Sequence, residues 1–273
     1  MTRPSFIDSH CHLDWRSFAD ERDAVVARAH EAGVNAMLSI NTHPKSFASL
    51  HGLVQAYPNV WCSVGIHPCY TEEEGTDEDT LADTLRACAQ HDKVIAFGES
   101  GLDYKEARGD KDKQKRLFRI HLQVACQCDL PIIIHVRDAE EDLITLIDDF
   151  RRHHPELRGV LHCFSGSAVL AKKAVEWGFF VSMSGLITYN SCRFLLPIVR
   201  EHVPASHLLL ETDSPFLAPT PKRGARNEPA FLVHTAEKVA ELKNMSVEQL
   251  ARQTSDNFFR LFRKARADAV LAP

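Results

Sequence analysis

Short apolar runs bounded by turn residues recur along the chain, and longer amphipathic stretches separate them. The runs at 6–9, 35–40, 60–65, 94–98, 132–134, 159–161, 180–184 and 208–210 predict strands. The stretches at 20–32, 44–56, 77–91, 111–128, 139–153, 168–177 and 192–202 carry apolar residues at three- and four-residue spacing and predict helices. Two more helices are expected near 229–243 and 247–265. Strand followed by helix, eight times over, implies an α/β fold with a parallel sheet. In a chain of 273 residues it predicts a single-domain (β/α)8 TIM barrel spanning 1–273. The competing architecture, an open doubly wound sheet, normally carries a glycine-rich phosphate turn after its first strand. Here His-Cys-His-Leu-Asp occupies that place.

Composition narrows the class. With 44% hydrophobic and 25% charged residues, the chain can bury a full core. A net charge of −5 argues against non-specific coating of nucleic acid, though not against a local basic groove. The N-terminus shows no apolar leader, and no apolar run approaches the ~18 residues of a membrane span. Eight scattered cysteines without a C-x-x-C pair suit reduced thiols, so a cytoplasmic location and no membrane association are expected. Cys11 and Cys163, each beside a histidine, are expected to face away from it and pack in the core.

In such barrels function gathers at the C-terminal ends of the strands, where the loops converge. The first strand, in "FIDSHCHLD", ends in His10 and His12, which alternation places on one face with Asp8. The third ends in "GIHP" with His67, the fourth in "AFGESGLDY" with Glu99, and the fifth in "IIIHVRD" with His135. The sixth ends in "VLHCFSG" with His162, and the eighth in "LLLETDSP" with Glu211 and Asp213. Glu99 and His135 are 36 residues apart and His135 and His162 are 27 apart, each near one β–α unit of about 30. Taken singly, each is as readily a capping histidine or a solvated carboxylate. A set of four imidazoles and two carboxylates drawn from these strand ends suits Zn²⁺ or Mn²⁺ better than oxygen-seeking Mg²⁺. Six ligands exceed one tetrahedral catalytic zinc, so two divalent metal cations bridged by Glu99, midway around the ring, are expected.

The motifs "FIDSHCHLD", "GIHP", "GESGLDY", "PIIIHVRDA", "HCFSGS", "LLETDSPFLAP", "RGARNEP" and "DNFFRLF" stand in order along nearly the whole chain. In these the chain resembles TatD-type metal-dependent deoxyribonucleases of the amidohydrolase-like superfamily. The resemblance implies metal ligands at His10, His12, Glu99, His135, His162 and Asp213, with Zn²⁺, Mn²⁺ or Mg²⁺ as the cations. It also implies exonucleolytic cleavage of DNA. One departure stands out: the family often reads G-I-H-P-H, and Cys69 replaces the second histidine.

Two metals lower the pKa of water toward 7 and neutralise charge on a phosphoryl group, which suits phosphodiester hydrolysis. Asp213 and Glu211 are candidates for orienting or deprotonating water, and His67 for contacting phosphate or leaving group. Asp8, deeper on the first strand, is expected only to orient His10 or His12. Lys222, Arg223 and Arg226 follow the eighth strand on a Pro/Gly-rich loop, and Arg137 follows His135; these four are the candidate phosphate contacts. The charged stretches at 111–119 and 260–266 are expected to be solvated helix faces. A few local cations on an acidic protein favour single strands or strand ends of DNA over duplex wrapping; the 3′–5′ polarity expected is what the family resemblance implies. Nothing calls for an obligate protein partner. The alternatives are an amidohydrolase or lactonase on the same barrel, many of which have lysine where Glu99 stands, and a non-catalytic nucleic-acid-binding protein.

Overall fold

Each predicted apolar run becomes a strand, and the strands lie in chain order in one parallel sheet. The computed structural model describes residues 4–73, 78–107 and 109–265. The order is β1 Phe6–Cys11, α1 Arg22–Glu31, β2 Val34–Ser39, α2 Phe47–Val54, β3 Val60–Val64, α3 Glu78–Ala89, β4 Val94–Asp103, α4 Lys111–Gln127, β5 Ile132–Arg137, α5 Glu140–Arg151, β6 Gly159–Leu161, α6 Ala168–Glu176, β7 Phe180–Met183, α7 Leu195–His202, β8 Leu208–Leu210, α8 Leu232–Lys243 and α9 Val247–Leu261. Residue 77, expected to start the third helix, and Arg266 lie outside the described residues. Strands pair with their sequence neighbours from β1 to β8. Just past the β1–β8 seam, Asp213 N–H donates to His10 O (2.9 Å) and His12 N–H to Ser214 O (2.8 Å). The fold is the expected (β/α)8 barrel.

Two apolar layers follow from the alternation. One packs strands against the surrounding helices. The other, with Ile7, Leu38, Trp61, Ile95, Ile133, Phe180 and Leu209, packs with Phe258 and Leu261 of α9 and with Phe262 just past its end. This helix closes the N-terminal end of the barrel: Asn257 donates to Ala205 O and Leu208 O, and Ser255 to Ser5 O. "DNFFRLF" is therefore a plug and not wholly a solvated face, and Arg260 lies over the Phe180 ring. With one end filled, the mouth at the other is the open one.

Two strands break their two-residue period where it matters. The β1–β2 register shifts between Asp8 and Cys11, and the β4–β5 register shifts between Phe97 and Ser100. A bulge re-aims the side chains around it. These two re-aim His10 and Glu99. Around Glu99 the flanking glycines are obligatory: Gly98 has φ +107 with Ile133 O 2.4 Å from any Cβ, and Gly101 has φ +152 with His135 O at 2.0 Å. "GESG" is thus the local requirement of a strand bent against β5.

Candidate metal centre and substrate cleft

Glu99 lies at the middle of a ring of histidines, 3% exposed. Its Oε2 faces His10 Nε2 at 3.4 Å. Its Oε1 faces His162 Nε2 at 2.7 Å, His135 Nδ1 at 2.9 Å and His67 Nε2 at 3.3 Å. On the Oε2 side, Asp213 Oδ1 stands 3.4 Å from His12 Nε2 and 3.7 Å from His10 Nε2. The expected residues of strands 1, 3, 4, 5, 6 and 8 thus converge on one point.

Hydrogen bonds settle which ring nitrogen is available. Both nitrogens of His135 face carboxylates, Nε2 at 2.9 Å from Asp103 Oδ2 and Nδ1 at 2.9 Å from Glu99 Oε1; a proton held on Nε2 by Asp103 leaves Nδ1 free for a cation. His67 Nδ1 accepts from Cys69 N–H at 3.1 Å, so the neutral ring presents Nε2–H as a donor. His10 is fully buried, and neither of its ring nitrogens has a hydrogen-bond partner. Burial, then the neighbouring His162, lower its pKa, keeping it in the neutral form that a ligand needs. An orphaned neutral imidazole beside two carboxylates fits a divalent cation, as does the cluster His10–His12–Glu99, whose ligand atoms lie within 4.8 Å of one another.

The field agrees. Burial alone would raise Glu99, but the surrounding imidazoles, His162 foremost, outweigh it and hold the carboxyl well below the usual range. Burial opposes protonation of His162, yet Glu99 and Glu211 push it well above the ordinary histidine value. The pocket stabilises positive charge, which a cation can supply in place of protons.

Several residues sit differently from expectation. Strand β8 ends at Leu210, so alternation does not extend to Glu211 and Asp213. Glu211 is fully buried, accepts from Cys163 N–H at 2.6 Å and lies 3.4 Å from His162 Nδ1. Asp213, with φ 55, turns to the His12 side instead. Asp8 holds His10 through its backbone: it accepts from His10 N–H (3.2 Å) and Thr212 N–H (3.0 Å) and from Thr212 Oγ1 (2.5 Å), stapling β1 to the chain after β8. Burial, against these bonds, pushes its carboxyl up to about 7. Ser9 Oγ lies 3.1 Å from Ser182 Oγ. Cys11 packs in the core as expected, but Cys163, at φ 43, lines the cleft with Sγ 3.1 Å from Ser184 Oγ.

Above the cluster opens a cavity of about 1030 Å³, lined among others by His12, Trp15, His67, Cys69, Arg137 and Phe216. Arg137 also pairs with Glu106 at 3.3 Å. Lys222, Arg223 and Arg226 do not line it. Arg223 stacks on Tyr189 at 4.2 Å, Lys222 lies over Phe231, and Arg226 pairs with Glu21 at 2.9 Å. Sequence reasoning missed Asp103, Trp15 and Phe216. Asp103 belongs to "GESGLDY", but a strand read as ending at Gly98 makes it a loop residue.

Comparison with known proteins agrees with this arrangement. The profile of the family described as "TatD related DNase" matches residues 7–263. This chain belongs to that family. It is 35% identical over 256 residues to the metal-dependent hydrolase YabD of Bacillus subtilis, covering 94% of this chain and 98% of that one. It is 34% identical over 259 residues to the 3′-5′ ssDNA/RNA exonuclease TatD of Salmonella typhimurium, covering 93% and 98%. The crystal structure of YjjV, a TatD homolog from Escherichia coli K12, superposes with a TM-score of 0.86 at 29% identity, covering 96% and 99%. The chain is a metal-dependent hydrolase of the TatD family. Among the described residues no helix is long and apolar enough to cross a membrane.

Proposed function

We propose that this TatD-family hydrolase is a deoxyribonuclease that removes nucleotides from the ends of single-stranded DNA in the 3′–5′ direction, using two divalent cations. The observation that carries the reading is the division of Glu99. One oxygen faces His10, beside His12 and Asp213, and the other faces His135 and His162. His10, His12, Asp213 and Glu99 Oε2 would hold one cation; His135 Nδ1, His162 Nε2 and Glu99 Oε1 the other. When bound, such cations act as Lewis acids toward a phosphoryl oxygen and lower the pKa of water.

The chain's own side chains supply the rest. Asp103 orients His135, and Glu211 steadies His162 from below. Asp213 accepts a proton from the attacking water, and Nε2–H of His67 donates to the phosphate or leaving oxygen. Arg137, on the cavity wall, contacts a phosphate beside the scissile bond. Lys222, Arg223 and Arg226 sit on the loop beyond the mouth and serve nucleotides farther along the strand. The name of the Salmonella relative supports the polarity and the single-stranded substrate.

The test pairs elemental analysis with a 5′-labelled oligonucleotide. Prolonged chelation should abolish cleavage, and Zn²⁺, Mn²⁺ or Mg²⁺ should restore a ladder shortening from the 3′ end with two equivalents bound. Full cleavage by metal-free protein, or hydrolysis of lactones and small esters with DNA left intact, overturns the reading.

A further inference from the structure

The rim of the cleft carries two aromatic rings, Trp15, packed on one side against the core, and Phe216. Phe216 is 40% exposed, and the other large apolar side chains so exposed among the described residues, Val169 and Phe194, do not line the cavity. Trp15, half-buried, meets Phe216 edge to face with centroids 5.1 Å apart. Both rings also stand edge-on to His12, at 6.2 and 5.9 Å. An edge-to-face pair beside an open cavity leaves aromatic surface for a flat ligand.

Both rings are anchored through backbone at the residues of the cluster. Trp15 N–H donates to His12 O at 3.1 Å, and Phe216 N–H to Asp213 O at 2.9 Å. Asn227 fixes the Phe216 carbonyl at 2.6 Å and the Thr212 carbonyl at 2.8 Å. A ligand stacking here meets a platform that needs little ordering, so more of the contact energy appears as binding.

We propose that Trp15 and Phe216 form a stacking platform for one nucleobase next to the scissile phosphodiester. The proposal rests on the nuclease reading and deepens it. Every base has a π-face, so stacking grips a strand end without choosing its sequence. The platform lies within one nucleotide's reach of His12 and Asp213. A cavity of about 1030 Å³ has room for more than one small ligand, and a small ester held over Glu99 would leave the rings uncovered.

The test uses metal-loaded protein and two probes: pentathymidylate, and a base-free tetrahydrofuran–phosphate pentamer. Trp61 and Trp177 are buried, 4% and 6% exposed, so Trp15 is the tryptophan open to a ligand. Rapid mixing with pentathymidylate should quench tryptophan fluorescence, while the base-free pentamer should not. Trp15→Phe should abolish the quench. The ratio of kcat/KM for pentathymidylate to that for the base-free pentamer should fall by roughly 10- to 100-fold in Phe216→Ala, the range expected for one stacked base. Phe216→Tyr should restore it. If pentathymidylate is cleaved without a quench and the ratio is unchanged in Phe216→Ala, the platform is overturned and the nuclease reading stands. Loss of both activities in equal proportion also overturns it, since that marks a loop support. If the wild-type protein neither binds nor cleaves either pentamer, the nuclease reading itself has failed.

Discussion

His121 makes a quantitative claim about stability that pH can test. The ring is fully buried on α4, with Nδ1 2.7 Å from Leu117 O and Nε2 accepting from Ile66 N–H at 3.1 Å. Ile66 precedes His67, so this bond pins the turn that presents His67 to the cleft. Burial pushes the His121 pKa down from 6.5 to about 4. Between those values the unfolded chain takes up a proton that the native protein does not. The stability is therefore complete above pH 6.5 and is lost as pH falls toward 4. At about 1.36 kcal/mol per unit, going from pH 7.5 to 4.5 removes about 2.5 kcal/mol. His121→Gln keeps an oxygen for Ile66 and an N–H for Leu117 but does not titrate. Urea unfolding of both proteins at the two pH values isolates the effect. The wild-type advantage over the variant should shrink by about 2.5 kcal/mol at pH 4.5. An advantage that stays constant would show that His121 is not held neutral by burial, and the reasoning would fail.

Three further outcomes follow from the cluster. Glu99→Gln keeps the shape but loses the charge shared by both histidine groups; bound metal should drop below two equivalents and turnover by on the order of 10³-fold or more. Retention of two metals and a near-normal rate would refute the bridging role. Asp103→Asn weakens the hold on His135 Nε2–H, and metal affinity measured by competition with a chelator should fall by about 10- to 100-fold; an unchanged affinity would mean Asp103 serves only the backbone N–H groups of Lys105 and Glu106, which donate to its Oδ1 at 2.8 and 2.7 Å. Lys222→Ala with Arg223→Ala should raise KM and flatten the salt dependence for a 20-nucleotide strand but not for a pentamer, because neither cation lines the cavity. Equal effects on both lengths would bring the loop into the cleft.

Much of this protein is written in its one-dimensional pattern. Apolar runs alternating with amphipathic stretches specify strands and helices because burial of one face is a local demand, and eight repeats leave a barrel as the economical way to satisfy it. Ligand-type residues at the C-terminal ends of strands are legible for the same reason: chain order and strand order coincide. That His10, His12, Glu99, His135, His162 and Asp213, the ligands the family resemblance implies, would meet could be expected without coordinates because barrel closure brings those ends together. What periodicity does not encode is where the period breaks. The bulges at Asp8–Cys11 and Phe97–Ser100, the extension of β4 to Asp103, and the positive φ at Cys163 and Asp213 depend on neighbouring strands. They decide that Glu211 and Asp213 part company, that Asp8 staples a seam, and that Asp103 holds His135. Distant pairs such as His121 with Ile66, or Trp15 with Phe216, are contacts between residues far apart in the chain. Residue type and local spacing determined the fold and the kinds of side chain gathered at its mouth, while the direction of each side chain was left to three-dimensional packing, since hydrogen-bond partners and burial exist only once the barrel has closed.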